Sequence, residues 1–184
     1  MCPRCGAPLQ ENCRCTFCKT EFVTHPFPPV FSKHAQTLIL GSIPSPDSRK
    51  EGFYYMNSRN RFWKVLSRVY GAMPIESIDD RKKLILNNNL ALWDVLASCW
   101  ITGAGDHSIL FPTANDLSPL IAGCAIKRIL CTGEKAFSLY QKLCAQAAGI
   151  TALRLPSTSA RNAAFSEDRL FAVYAAALNQ PNTD

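Results

Sequence analysis

No run of apolar residues in this 184-residue chain reaches the roughly 18 that a membrane-spanning helix requires. The opening Met1-Cys2-Pro3-Arg4-Cys5 holds none of the apolar core of a signal peptide. Together these absences lead us to expect a soluble, intracellular protein. There is no GxGxxG, no Walker phosphate loop and no GxSxG elbow, so dinucleotide, nucleoside-triphosphate and serine-hydrolase chemistry lack their usual carriers. No internal repeat is visible, which sets aside repeat architectures. Histidine is scarce: His25, His34 and His107 stand alone, as surface or satisfied residues do, rather than in metal-ligand spacing.

What is present is a packed core's worth of hydrophobic residues, 47% of the chain. The length suits one domain of roughly 150 residues with a small appendage. Net charge is +6, and its placement is uneven. Residues 33 to 71 carry seven Lys/Arg against two acids, whereas residues 72 to 126 carry three against six. The basic excess falls on the stretch GFYYMNSRNRFWKVL, residues 52 to 66, where bare rings adjoin amides and guanidiniums. A basic patch of this kind attracts phosphate backbones; it is also an ordinary solvated surface.

Five of the nine cysteines lie in the first 18 residues. Cys2, Cys5, Cys15 and Cys18 read C-x2-C-x9-C-x2-C, the spacing of two knuckles that close round one tetrahedral Zn²⁺. The stretch resembles a short zinc ribbon. The alternative is a disulfide-bonded tail, which needs an oxidising compartment. Cys13 could replace Cys15. Four thiolates leave no open position, so the zinc is expected to be structural. A segment this short cannot build a core and must draw its folding energy from the metal. Cys99, Cys124, Cys131 and Cys144 read as small buried hydrophobes.

The remaining pattern alternates. Residues 25 to 32 are Pro-rich and read as a semi-rigid linker. Strands are expected at 37–41, 90–96, 127–133 and 151–156, and helices at 60–71, 79–87, 115–123, 134–148 and 162–178. Short apolar strands between helices imply an α/β three-layer sandwich on a mostly parallel four-stranded sheet. Ligands in such folds sit beyond the carboxyl ends of the strands. There the chain places GSIPS after the first strand, Trp93-Asp94 in the second, Thr132-Gly133 after the third and PSTSARN after the fourth.

Two of these segments, ILGSIPSPDSRKEGFYYMNSRNRFW (39–63) and LPSTSARNA (155–163), together resemble the uracil-DNA glycosylase superfamily. The spacing from Gly41 through Pro44, Tyr55 and Asn60 to Phe62-Trp63 is similar to the mismatch-specific branch. GSIPS, YY, NRFW, ALWDVLASC and LPSTS more closely resemble the hypoxanthine-DNA glycosylase branch. The resemblance spans residues 36 to 178 and leaves the cysteine segment outside. It divides the chain into a zinc-ribbon-like segment (1–24), the linker (25–32) and a uracil-DNA-glycosylase-like domain (33–180).

The resemblance implies a monofunctional DNA glycosylase that flips deaminated bases out of DNA for base excision repair, hypoxanthine ahead of uracil, acting as a monomer and without a cofactor for catalysis. No lysine is placed as a Schiff-base nucleophile. Gly41, Ser42, Ile43, Pro44, Tyr55, Trp93, Asp94 and Thr132 would form the base pocket, with Tyr55 as the stacking ring. Ser45, Arg59, Arg61, Ser157, Thr158, Ser159, Arg161 and Asn162 would hold DNA, Arg161 either as a wedge or on a phosphate. Ile43 stands where most of the superfamily carries an acid or amide that handles water. Asn60 is then the catalytic candidate, or the cap of the helix that follows, or both. Trp93 could instead be core and Asp94 a strand-end cap. Thr132, Leu155 and Ala160 depart from the family pattern; Leu155 replaces a leaving-group histidine, which argues against an efficient general uracil enzyme. The rival reading is a catalytically inactive nucleic-acid binder of the same fold. A small-molecule hydrolase is a third, without a nucleophile–base pair to support it.

Overall fold

The computed structural model describes residues 1–72 and 75–179, so the expected end of the main domain at residue 180 lies outside the described residues. In chain order the elements are β1 (Thr20–Thr24), β2 (Thr37–Gly41), α1 (Pro46–Glu51), α2 (Phe62–Val69), α3 (Ile78–Asn87), β3 (Leu90–Asp94), β4 (Leu96–Thr102), β5 (Leu110–Ala114), α4 (Ser118–Gly123), β6 (Arg128–Thr132), α5 (Glu134–Leu143), α6 (Ala145–Ala148), β7 (Ala152–Leu155) and α7 (Glu167–Leu178). The four expected parallel strands pair in the order β3-β2-β6-β7. Every residue of β2 is buried, as a central strand covered on both faces must be.

Two apolar clusters flank that sheet. Leu38, Leu40, Ile129 and Cys131 face one with α4 and α5; Ile39, Leu92, Leu130 and Leu155 face the other with α2, α3 and α7. The architecture is the expected α/β sandwich, and no described helix is long and apolar enough to cross a membrane.

Local chemistry sets most boundaries. Ser77 begins α3 with a capping box, its hydroxyl accepting from the Asp80 N–H while the Asp80 carboxylate accepts from the Ser77 N–H. Ser166 caps α7 at the Arg169 N–H, which moves the start of that helix five residues beyond the expected 162. The expected helix 134–148 is interrupted at Cys144, which lies off helical geometry at φ −123°.

The main difference is a second sheet. The strand expected at 90–96 ends at Asp94; after Val95 the chain enters β4, which runs antiparallel between β1 and β5. LALWDVLASCWIT is apolar almost throughout, so periodicity gives no sign of the switch. The backbone makes it: the Val95 N–H donates to Gly41 and the Leu96 N–H to the Ser42 carbonyl. β1 belongs to the cysteine segment and pairs with β4 over five residues, Thr20 opposite Thr102 through Thr24 opposite Ser98. Its Val23 is buried in the first apolar cluster. The Pro-rich stretch is tied down as well. The His25 N–H donates to the Ala97 carbonyl, and Val30 exchanges two hydrogen bonds with Leu92 at the sheet edge.

Candidate active site

A cleft opens at the carboxyl edge of the parallel sheet, where β2, β3 and β6 end. Its wall includes Gly41, Ser42, Ile43, Pro44, Ser45, Tyr55, Asn60, Asp94 and Thr132, together with Ser157 through Arg161. The two sequence segments that carried the resemblance thus meet in one place.

Tyr55 has φ +54° and turns its ring flat onto Phe62, the centroids 3.9 Å apart and the planes 17° from parallel. Thr132 Oγ1 donates to the Leu40 carbonyl, so the Tyr55 hydroxyl donates to Thr132 Oγ1 at 2.8 Å. One ring face is backed by Phe62, the hydroxyl is pinned to β6, and the residue lines the cleft. Burial, and next the Asp94 carboxylate, push its phenol pKa well up, so it stays neutral.

Gly41 is where β2 approaches both Tyr55 and Asp94. A Cβ there would sit 2.1 Å from Asp94 Oδ1 and 3.1 Å from the Tyr55 hydroxyl. Asp94 is 4% exposed, and its other oxygen, Oδ2, lies 3.0 Å from His25 Nε2. It cannot swing aside without breaking that bond. Gly41→Ala should therefore lower stability by about 1–3 kcal/mol, the range for overpacking a tight site. A shift in the urea midpoint at unchanged slope checks it; no shift would mean the contact relaxes freely.

The Asn60 side chain does structural work. Its Oδ1 accepts from the Phe62 N–H at 2.9 Å and from Thr158 Oγ1 at 2.8 Å. Both lone pairs are thereby engaged, and the amide NH₂ remains for the cleft. The helix starts at Phe62 with Arg61 at its cap position, one residue later than expected. Asn60 thus holds the first helical N–H from just before the cap while lining the cleft, and the oxygen assigned to water is occupied.

Three expected site residues are placed elsewhere. Trp93 alternates away from Asp94 on β3 and is not part of the cleft wall; its indole N–H is buried without a hydrogen-bond partner among the described residues. The Arg61 guanidinium, expected on DNA, is committed to the carbonyls of Thr158, Ser159, Asn162 and Phe165, four acceptors that hold the loop after β7. Asn162 is outside the wall too, its amide donating to the Ser157 carbonyl. With the Tyr174 hydroxyl on the Pro156 carbonyl, these bonds shape the loop rather than bind a ligand.

The remaining polar residues line the cleft, but Thr158, expected on DNA, is alone among them fully buried and spends its hydroxyl on Asn60. Arg59 lines the cleft, and no protein partner for its guanidinium is found among the described residues. Arg161 reaches across to the Ala104 carbonyl at 3.0 Å. Ser157 and Ser159 accept local N–H groups with their hydroxyls. Ser45 caps α1 at the Ser48 N–H.

Sequence reasoning missed two groups. Asp106, in the loop between β4 and β5, joins the cleft wall and accepts from Ser42 Oγ at 2.9 Å. Although its side chain is open to solvent, desolvation by the protein around the carboxylate raises its pKa, a rise that the hydrogen bond and Lys135 only partly offset. No motif flanks it; it is one acid in TGAGDHS, brought in by the unforeseen second sheet. The other is His25, whose ring is nearly buried against Phe27 and Tyr54.

The four cysteines converge as their spacing predicts. All four Sγ atoms lie within 4.8 Å of one another, with three pairs at 3.5–3.6 Å. Tetrahedral thiolates at about 2.3 Å from a metal stand about 3.8 Å apart, so the cluster could hold a metal ion with little adjustment. Cys15 is fully buried in the cluster, whereas Cys13 is exposed outside it. The Thr20 hydroxyl and then its N–H draw the Cys18 thiol down to about 6, which favours the thiolate a metal needs.

Comparison with known proteins agrees with this geometry. Residues 28–179 match the model of the uracil DNA glycosylase superfamily. A hypoxanthine DNA glycosylase of Methanosarcina acetivorans is 31% identical over 144 residues, covering 78% of this chain and 90% of its own. One from Methanosarcina barkeri is 32% identical over 113 residues, 60% of this chain and 71% of its own. The NMR solution structure of a candidate uracil DNA glycosylase from Methanosarcina acetivorans superposes with a TM-score of 0.70 at 30% identity, covering 85% of this chain and 99% of that one. A ring-backed cleft at the sheet's carboxyl edge, with two family segments meeting in it, is accounted for by one conclusion: the chain belongs to the uracil DNA glycosylase superfamily and is a DNA glycosylase, a hydrolase of N-glycosyl bonds.

Proposed function

We propose that the protein hydrolyses the N-glycosidic bond of deaminated bases in DNA, hypoxanthine ahead of uracil, as the base-removing step of excision repair. The observation that carries this reading is Tyr55, a neutral ring backed by Phe62 and pinned by Thr132 at the cleft wall. A base within a duplex is out of reach, so it must be flipped into such a site. Stacking on an aromatic face is worth roughly 1–3 kcal/mol per base. Arg59 and Arg161 at the rim, with Ser157 and Ser159, supply donors for the flanking phosphates.

Breaking the bond leaves positive charge on the deoxyribose, and the cleft offers the Asp106 carboxylate to stabilise it. Water must be held by an acceptor as it attacks. With both Asn60 lone pairs engaged, that acceptor is Asp106, set by Ser42 next to Ile43, the position that lacks an acid. The bond from sugar carbon to base nitrogen breaks with its electron pair leaving on the base. Water oxygen bonds to that carbon and its proton passes to Asp106. The Asn60 NH₂ donates to the water or to a phosphate oxygen. Cys2, Cys5, Cys15 and Cys18 would hold a structural zinc, and the protein acts as a monomer.

The test is release of base from labelled duplexes containing deoxyinosine, deoxyuridine or deoxyxanthosine, read as alkali-induced strand breaks. Deoxyinosine should be cut fastest. Tyr55→Ala should lower kcat/KM by about ten- to a hundredfold, as loss of one stack implies. Tyr55→Phe, which keeps the ring, should lose much less. Tight binding with no breakage on any lesion would instead identify a non-catalytic binder.

A further inference from the structure

The matched family begins at residue 28, and His25 lies before it. Yet this histidine touches a residue of the cleft wall, Asp94, from outside the cleft. Its backbone N–H is fixed on the Ala97 carbonyl, one residue past the β1–β4 ladder, and its ring nitrogen Nε2 meets Asp94 Oδ2 at 3.0 Å. Both side chains are almost fully buried, 4% and 6% exposed. The cysteine segment is anchored to the cleft at two further points. Glu21 of β1 pairs with Arg49 at 2.6 Å, and Arg49 donates to the Pro44 carbonyl of the cleft loop at 3.0 Å. Arg4, inside the cysteine cluster, donates to Thr102, which precedes the cleft residues Gly103 and Ala104.

A carboxylate only accepts hydrogen bonds, so His25 presents Nε2–H to Oδ2. That leaves Asp94 Oδ1, the atom crowding Gly41 beside the Tyr55 hydroxyl, as an acceptor at the pocket wall. Deamination changes the pairing edge of a base in one consistent way. Adenine N1 and cytosine N3 carry a lone pair; hypoxanthine N1 and uracil N3 carry a hydrogen. An acceptor-only oxygen attracts the deaminated ring and repels its parent. It also distinguishes the two products. A carboxylate bonded to N1–H makes N7 on the far side of a purine more basic, so that a proton taken up there from solvent lets the base leave neutral as the bond electrons settle on N9. The same negative charge opposes departure of uracil as an anion.

We propose that His25 is a positioning residue, delivered by the cysteine segment, that fixes Asp94 with Oδ1 towards the flipped base, and that this oxygen reads the ring N–H created by deamination. The inference rests on the glycosylase reading above. It makes the N-terminal segment part of the specificity of the enzyme rather than an appendage.

The experiment measures single-turnover excision of deoxyinosine and deoxyuridine by the full metal-loaded chain. The wild-type protein should prefer deoxyinosine. Asp94→Asn, which can also donate, should lower that preference about tenfold or more, the size of one charged hydrogen bond. His25→Ala should lower it similarly, and His25→Gln, whose amide can donate to the same oxygen, should recover most of it. An equal fall on both lesions, or an unchanged ratio in a folded His25→Ala protein, overturns the proposal. If His25→Ala does not fold, Asp94→Asn and His25→Gln decide alone: an unchanged ratio in Asp94→Asn, or a ratio lost in a folded His25→Gln, counts against it. A wild-type protein that releases neither base defeats the glycosylase reading instead.

Discussion

Asn60→Ala should lower excision of deoxyinosine by about two to three orders of magnitude, the usual effect of removing one preorganised donor from a reacting centre. The variant should also lose about 1 kcal/mol of stability, because Oδ1 no longer satisfies the Phe62 N–H at the start of α2. The Thr158 hydroxyl loses its acceptor as well. Stability and catalysis are therefore entangled in the alanine variant, and Asn60→Asp separates them. Aspartate keeps an oxygen for both donors but replaces the NH₂ with a second acceptor. A stable Asn60→Asp protein with no excision would assign catalysis to the NH₂. A stable and active one would mean that residue 60 needs only to accept, and that water is held there after all. Asp106→Asn completes the set: if Asp106 takes the water proton, this variant should fall as far as Asn60→Ala, with base binding retained.

How much of this could be read beforehand depended on whether a residue's role is local. β2, β6 and β7 are short apolar runs ended by Gly or Pro, and they lie within a residue of their expected bounds. Gly41, Tyr55, Asn60 and Thr132 are set by those strand ends and by one loop, and they do meet in the cleft. β4 was hidden because its partner β1 lies far away in sequence and because the apolar run through Val95 does not change period; β5 pairs with it locally, but in a ladder broken by register shifts. α1 was hidden because PDSRKE offers no apolar face at all; Ser45 and Gly52 cap it instead. Arg61 and Asn162 were misassigned for a related reason. A guanidinium beside rings is equally suited to a phosphate and to a cluster of carbonyls, and only the path of the 155–165 loop decides between them. His25 and Asp106 had no legible signal, since the unforeseen β1-β4-β5 sheet brings Asp106 into the cleft wall and His25 against Asp94.

Removing the metal should cost more than an isolated ribbon would suggest. One equivalent of zinc is expected in protein purified without chelator, and Cys15→Ser, at the most buried of the four thiols, should abolish it. A free-standing appendage would then unfold alone and leave the melting temperature of the rest unchanged. Here β1 carries a five-residue ladder, buries Val23 in the main cluster and leads into His25. Losing those contacts should remove about 3–5 kcal/mol, a fall of roughly 10 °C for a domain of this size. β4 would also become an open edge carrying Trp100, so the metal-free protein should aggregate on refolding. Most tellingly, the hypoxanthine-over-uracil preference should decline with metal content, because Asp94 loses the imidazole that orients it. Calorimetry and lesion discrimination measured on the same Cys15→Ser preparation test this together. A protein that loses its metal yet keeps both its melting temperature and its preference would separate the cysteine cluster from the cleft and sink the link through β1.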